Sequence, residues 1–440
     1  MKKGNHMKRV FLLSLGCSKN TVDSERLMAQ ACGSGAVFSE NADDSDTILI
    51  NTCGFIGDAK EESIAEILAA IDRKREGSVR SVYVMGCLSE LYRKELQEEL
   101  PEVDGFFGTR ELPEVLAAIG SSYREELFDR RELLTPPHHA WLKIAEGCSR
   151  RCSFCSIPKI RGPYRSQPTD QLLREAALLK KKGVHELNLI AQDISVYGLD
   201  LGGRQLLNDL VLQLSDMEFD WIRLLYAYPV SFPVDVVRTM RERENVCSYL
   251  DLPLQHINDR ILLSMNRGIS RQETIRLIDT IRNIHPDIRL RTTMIAGYPG
   301  ETGEEFEELM HFVQETRFDR LGCFPYRHEE HAPSFILEDT VTEDEKQRRV
   351  ARIMELQEEI SAEKNRECEG TTVKVLIDQV EESTAFGRTE FDAPEVDNEV
   401  ILNCPTHDVA PGSFCLARID DSTAYELFGT VSAGSDRSGA

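Results

Sequence analysis

Residues 143–158 read KIAEGCSRRCSFCSIP and set three cysteines, Cys148, Cys152 and Cys155, within eight positions. Thiolate is a soft ligand that suits zinc and iron–sulfur clusters alike. A structural zinc takes four closed ligands, whereas this segment supplies three; His138 and His139, just upstream, could be recruited as a fourth. A four-iron cluster held by three thiolates instead keeps one iron open for a ligand, which is a physical reason to omit the fourth cysteine.

Working outward, the run sits where a strand-like stretch, WLKIAEGC, gives way to a helical one. The same alternation recurs at ELNLIAQD, WIRLLYAYP, SYLDLPLQH, IRLRTTMIAGYPG and RLGCFPY, with helical stretches such as TDQLLREAALLKKKG and RQETIRLIDTIRNIH between them. Six βα units over residues 136–345 predict an α/β barrel with open sides, a (βα)6 rather than a complete eight-unit barrel. Chemistry in such barrels sits at the carboxyl ends of the strands, where Cys148, Asp193, Tyr228, His256 and Gly297 fall.

Upstream, residues 1–135 predict a parallel α/β domain. RVFLLSLGC, TILINTCGF and SVYVMGC are strand-like, each carries a cysteine near its end, and helical stretches follow. Cys17, Cys53 and Cys87 thereby lie past the carboxyl ends of strands, the edge where open α/β sheets place ligands. A lone strand-end cysteine is usually a small buried hydrophobe; three at matching positions point to a shared metal centre. Downstream, the charged stretch 346–369 predicts a packed linking helix that carries the chain away from the barrel. Residues 370–440, with short β runs and Gly/Pro turns, predict a small antiparallel β-barrel ending in a frayed tail, SAGSDRSGA. Cys32, Cys247, Cys323, Cys368, Cys404 and Cys415 share no spacing and read as core or incidental.

Composition limits the function. With 75 acidic and 52 basic residues the formal charge is −23, and no basic run could track a phosphate backbone. Nucleic acid is a disfavoured partner and a basic protein a favoured one. The apolar runs are too short to span a bilayer, and the basic start lacks the apolar region of a signal peptide, so the reading is a cytoplasmic protein with no membrane partner. In that compartment twelve cysteines indicate metal or redox chemistry rather than disulfides.

The C-x3-C-x2-C spacing with Phe154 before the last cysteine resembles the radical S-adenosylmethionine (SAM) superfamily. That resemblance implies a four-iron four-sulfur cluster on Cys148, Cys152 and Cys155, whose open iron chelates SAM. One-electron reduction then cleaves SAM to a 5'-deoxyadenosyl radical, which calls for an electron donor. From about Lys8 to Val431 the chain resembles the methylthiotransferase family, on LGCSKNTVDSE, the three early cysteines, EGCSRRCSFCSIP, RGPYRSQP and a last domain similar to the TRAM module. This implies a second, auxiliary 4Fe-4S cluster on Cys17, Cys53 and Cys87. One SAM methylates a sulfur at that cluster, and a second generates the radical that activates the substrate carbon.

Two branches of that family differ in substrate. One acts on adenosine in tRNA and typically reads GCQMN or GCKVN in the first loop; the other acts on the β-carbon of an aspartate in small-subunit ribosomal protein twelve. LGCSKNTVDSE, IAQDISVYG, DLPLQHIND, GCFPYRHEEHAP and GRTEFDAPEVDNEV resemble the second branch, leaving tRNA adenosine methylthiolation as the alternative. Residues 370–440 hold thirteen Asp and Glu against four Lys and Arg, a balance that repels phosphate and attracts a basic protein. A non-catalytic iron–sulfur or zinc protein that binds the ribosome is a further alternative. Among SAM contacts, Phe154, Asp193 and Gly297 are candidates. Asp193 serves equally well as a turn cap, His256 reads as structural, and Tyr228 reads as packing.

Overall fold

The computed structural model describes residues 9–55, 57–404 and 409–432. Past Ser432, the run read as a frayed tail lies outside the described residues. The first unit is a parallel sheet of β1 (Arg9–Ser14), β2 (Val37–Ser39), β3 (Thr47–Thr52), β4 (Ser81–Gly86) and β5 (Gly105–Phe107), in the order β2-β1-β3-β4-β5. Helices α1 (Ser18–Gly33), α2 (Gly57–Arg75), α3 (Cys87–Glu99) and α4 (Leu112–Ala118) cover it. Alternating side chains feed opposite cores. Ile48 and Ile50 pack with Ile67 and Ile71 of α2, while Leu49 packs with Leu27 of α1 and Val115 of α4.

The second unit begins with β6 (His139–Lys143). A short ribbon of β7 (Ala145–Glu146) and β8 (Arg165–Ser166) brackets the cysteine loop and α5 (Ile157–Arg161). Next come α6 (Thr169–Lys181), β9 (Glu186–Ile190), α7 (Leu199–Gly202), α8 (Leu207–Ser215), β10 (Trp221–Leu224) and α9 (Asp235–Glu242). The unit continues through β11 (Val246–Asp251), α10 (Asp259–Ser264), α11 (Arg271–Ile284), β12 (Arg289–Ala296), α12 (Gly303–Thr316) and β13 (Arg320–Pro325). Its six strands are parallel and run β6-β9-β10-β11-β12-β13, the open barrel expected from the six repeats.

Both edge strands of this barrel are covered, which blunts an otherwise unpaired ladder. Helix α1 of the first unit packs on β6. Helix α13 (Glu343–Arg366) lies along β13, with Ile353 and Ile360 in the barrel core and Gln357 donating to the Phe318 carbonyl at 3.0 Å. Its apolar stripe packs on the barrel edge, and its last turn reaches the residues beyond, where Asn365 donates to the Thr423 carbonyl at 2.8 Å.

The last unit is a closed barrel of β14 (Thr372–Glu381), β15 (Thr384–Arg388), β16 (Glu399–Asn403), β17 (Phe414–Ser422) and β18 (Glu426–Val431), in the order β14-β15-β16-β18-β17. It is antiparallel except between β16 and β18, which pair in parallel. The antiparallel barrel carries this one parallel pair for a geometric reason, since strand direction cannot alternate all the way round a closed ring of five.

This small barrel docks at the amino-terminal end of the larger one. Between β15 and β16, Asp392 pairs with Arg320 at 2.6 Å, and Asp397 pairs with Arg291 at 3.2 Å and accepts from the Tyr249 hydroxyl at 2.6 Å. Arg388 reaches Glu186 at 2.8 Å. His138 Nε2 lies 2.7 Å from Asp378 at this same end. The two histidines are thus at the opposite end of β6 from the cysteine loop, and their recruitment beside those thiols is corrected. Asp378, Asp392 and Asp397 are also spent inward, so the acidic excess of residues 370–440 overstates what this unit presents to a partner.

Candidate active site

Three connections of the first sheet deliver the early cysteines to one edge. Cys17 follows β1 and caps α1, Cys53 follows β3, and Cys87 follows β4 as the first residue of α3. Asn20 ties these turns together: its Nδ2 donates to the Leu15 carbonyl at 2.9 Å and the Thr52 carbonyl at 3.1 Å, and its Oδ1 lies 3.7 Å from the Cys87 Sγ. Asn51 in turn donates to the Asn20 carbonyl at 2.9 Å. Ser63 of α2 clamps Cys53, accepting from its N–H at 3.1 Å and donating to its carbonyl at 3.0 Å. Gly16 adopts φ +89°, and a Cβ there would stand 2.7 Å from the Cys53 Cβ and 3.0 Å from its Sγ.

On the barrel side the loop 147–156 is held as tightly. Gly147 adopts φ +74°, with the Gly162 carbonyl 2.6 Å from where a Cβ would stand. The Cys148 N–H donates to that same carbonyl at 3.0 Å. Ser153 is stitched through its N–H to the Met265 carbonyl at 2.9 Å and through its hydroxyl to the Ser264 carbonyl at 2.8 Å. Next to Cys152 stand Arg267, whose Nη1 is 3.3 Å from the sulfur, and Tyr228, whose hydroxyl is 3.5 Å away. The Tyr228 ring is flanked by the guanidinium carbons of Arg150 and Arg267, at 4.1 and 4.2 Å from its centroid.

The two sets face each other. All six cysteines line one cavity of about 520 Å³, together with Lys19, Arg150, Phe154, Arg161, Gln192 and Arg267. No carboxylate is among its described lining residues. Burial pushes the thiols of Cys87 and Cys155 up to about 12 and that of Cys148 up to about 11. Arg161 beside Cys87 works in the opposite direction. Metal loading must therefore expel protons from these sites.

The donor chemistry fits iron–sulfur clusters better than zinc. Zinc–thiolate bonds of about 2.3 Å bring tetrahedral sulfurs within about 4 Å of one another. Among the described residues, neither cysteine set gathers three ligand atoms within 4.8 Å, whereas a four-iron cube spreads its thiolates wider. A buried orphan adds to the fit, since Gln192 Oε1 on the cavity wall has no hydrogen-bond partner among the described residues.

Of the residues expected to touch SAM, Phe154 is on the wall and Asp193 and Gly297 are not. Asp193 is buried, accepts from the Ser195 N–H at 2.8 Å and pairs with Arg150 at 2.8 Å, so it reaches the cavity through that arginine. Gly297 faces Lys346 of α13. His256 is fully buried and held neutral, its pKa pushed down to about 3 by burial, and its Nδ1 accepts from the Asn258 N–H at 3.0 Å. Sequence reasoning missed Lys19, Asn20, Arg161, Gln192 and Arg267. The first two lie inside the quoted LGCSKNTVDSE, and Arg161 opens RGPYRSQP; Arg267 sits in MNRG, which carries no motif.

An open (βα)6 barrel with three thiols in one loop at the carboxyl ends of its strands is the architecture of a radical SAM enzyme. Family models agree: residues 142–313 match the radical SAM superfamily, 9–108 match uncharacterized protein family UPF0004, and 370–431 match a TRAM domain. The chain belongs to the ribosomal protein uS12 methylthiotransferase RimO family. It is 74% identical to the protein of that name from Chlorobium limicola, over 97% of this chain and 99% of that one. It is 72% identical to that from Chlorobaculum tepidum, over 96% and 98%. In fold it is similar to the cobalamin- and cluster-bound radical SAM methyltransferase TsrM from Kitasatospora setae, with TM-score 0.54, 13% identity, and 92% of this chain and 84% of that one covered. The cobalamin-dependent radical SAM enzyme OxsB is similar at TM-score 0.53 and 12% identity, over 80% and 56%.

Proposed function

We propose that this chain adds a methylthio group to the β-carbon of an aspartate in ribosomal protein uS12, using SAM both as methyl donor and as radical source. The observation that carries this reading is the single cavity walled by both cysteine sets, in a chain so similar along its length to uS12 methylthiotransferases. Cys148, Cys152 and Cys155 would hold one 4Fe-4S cluster and Cys17, Cys53 and Cys87 a second. When bound, the first supplies reductive cleavage of SAM and the second a site for the transferable sulfur.

The chain's own residues bind, orient and shield. Phe154 and Tyr228 give the cavity apolar walls, which keep water from a reactive radical. Gln192 Oε1 offers an acceptor for a SAM N–H, and Asp193 orients Arg150 against Tyr228. Arg161 and Arg267 each place a guanidinium beside a thiolate ligand, which favours its charged form. An external electron donor is required, tRNA is outside the substrate range, and the reaction takes place in the cytoplasm. No helix among the described residues is long and apolar enough to cross a membrane.

The test separates the two sets. In anaerobically reconstituted enzyme, Cys152→Ala should abolish 5'-deoxyadenosine formation, while Cys53→Ala should retain it and lose methylthio transfer to uS12. Transfer by both variants would overturn the two-cluster reading.

A further inference from the structure

Four cations line the cavity and no described carboxylate does. Three of them are occupied. Arg150 pairs with Asp193 at 2.8 Å, Arg161 pairs with Asp23 at 2.8 Å and with Glu146 at 3.3 Å, and Arg267 donates to the Cys152 sulfur at 3.3 Å and to the Pro253 carbonyl at 2.5 Å. Lys19 is different. It is 7% exposed, and its Nζ has no hydrogen bond or ion pair among the described residues. It stands over the face of Tyr226, 3.0 Å from the ring centroid.

An ammonium that faces the cavity with no anion beside it keeps its charge available to a ligand, and a ring face supplies only part of the attraction an anion would. The ring is itself held in place: Tyr226 adopts φ +65°, uncommon for a bulky residue, and its N–H donates to Asp251 Oδ2 at 2.9 Å. Lys19 and Tyr226 come from different units, α1 and the loop after β10, so the pair forms where the two halves of the cavity meet.

We propose that Lys19 is the receptor for the side-chain carboxylate of the substrate aspartate. The inference rests on the uS12 reading above and deepens it. Lys19 lies two residues after Cys17, on the auxiliary side of the cavity. The reacting β-carbon is bonded directly to the carboxylate carbon, so an ammonium that fixes the carboxylate fixes that carbon beside the sulfur-bearing side. SAM also carries a carboxylate, but its expected cluster is on the far wall, where Arg150 and Arg267 stand.

The test compares Kd and KM of the reconstituted holoenzyme for intact uS12 and for uS12 carrying Asp→Asn at the modified position. Wild type should bind the aspartate form roughly 10- to 100-fold more tightly, the size of a buried charge-assisted contact. Lys19→Met should lose that preference through the aspartate form alone, and Lys19→Arg should restore much of it. A merely structural tie between the units would weaken both forms equally and leave the ratio intact, which overturns the proposal. A rise in KM for SAM with an unchanged Asp/Asn ratio also overturns it, since the carboxylate bound would be SAM's. Absence of any uS12 modification by wild type would instead defeat the substrate reading.

Discussion

Substituting Gly16 and Gly147 separately by alanine should disable the two halves of the cavity one at a time. Both glycines have left-handed backbone, at φ +89° and +74°, which costs an alanine about 1–2 kcal/mol. Sterics add to this at Gly16. Its new Cβ would lie 2.7 Å from the Cys53 Cβ, so Cys53 must retreat by roughly 0.7 Å to reach ordinary contact, more than the ~0.5 Å that a functional constellation tolerates. Disturbing a metal ligand's support in this way typically lowers metal affinity by about 10- to 100-fold.

The assay is iron and sulfide content after anaerobic reconstitution, read beside 5'-deoxyadenosine formation and methylthiolated uS12. Gly16→Ala should hold close to half the wild-type iron, still cleave SAM, and transfer no methylthio group. Gly147→Ala, whose Cβ meets the Gly162 carbonyl that accepts from Cys148, should lose SAM cleavage. Full iron loading with wild-type transfer in Gly16→Ala, or loss of the same activity in both variants, would refute the reasoning.

Two predictions concern stability. Arg131 is buried between Glu25 of α1 and Glu175 of α6, donating to them at 2.8 and 3.0 Å, so Arg131→Met leaves a buried uncompensated charge. Urea unfolding should show a loss of about 3–5 kcal/mol, with faster proteolysis of the 119–138 connection; an unchanged midpoint would contradict this. His139 is buried, neither ring nitrogen has a hydrogen-bond partner among the described residues, and burial pushes its pKa down to about 4. The unfolded imidazole, near 6.5, binds the proton first, so this stability is complete above about pH 6.5 and lost as pH falls toward 4, by about 3 kcal/mol in all. His139→Leu should therefore flatten the acid limb between pH 6.5 and 4.5 in denaturant titrations, and an identical limb would exclude His139 as its source.

The βα alternation made both parallel sheets legible, because period and strand-end position are local properties. The cavity cysteines are legible for two local reasons: Cys17, Cys53 and Cys87 sit just past strand ends, and Cys148, Cys152 and Cys155 share the C-x3-C-x2-C spacing of one loop. Contacts between distant segments were not readable. Asp392 and Asp397 look like surface acids in GRTEFDAPEVDNEV, yet they meet Arg320 and Arg291, far away in sequence. Asp193 was placed correctly at a strand end, but its reach into the cavity depends on Arg150, which only the folded loop supplies. Lys19 is in plain view within LGCSKNTVDSE, and nothing in the string reveals that its ammonium has no hydrogen-bond or ion-pair partner among the described residues.

The central claim is that one cavity brings two cysteine sets to bear on an aspartate of uS12. Intact-mass analysis of uS12, with tRNA nucleosides measured from the same cells, tests it most directly when cells carrying and lacking this gene are compared. The account predicts that uS12 loses one methylthio increment and tRNA is unchanged. Loss of the increment from tRNA, with uS12 unaltered, would contradict it.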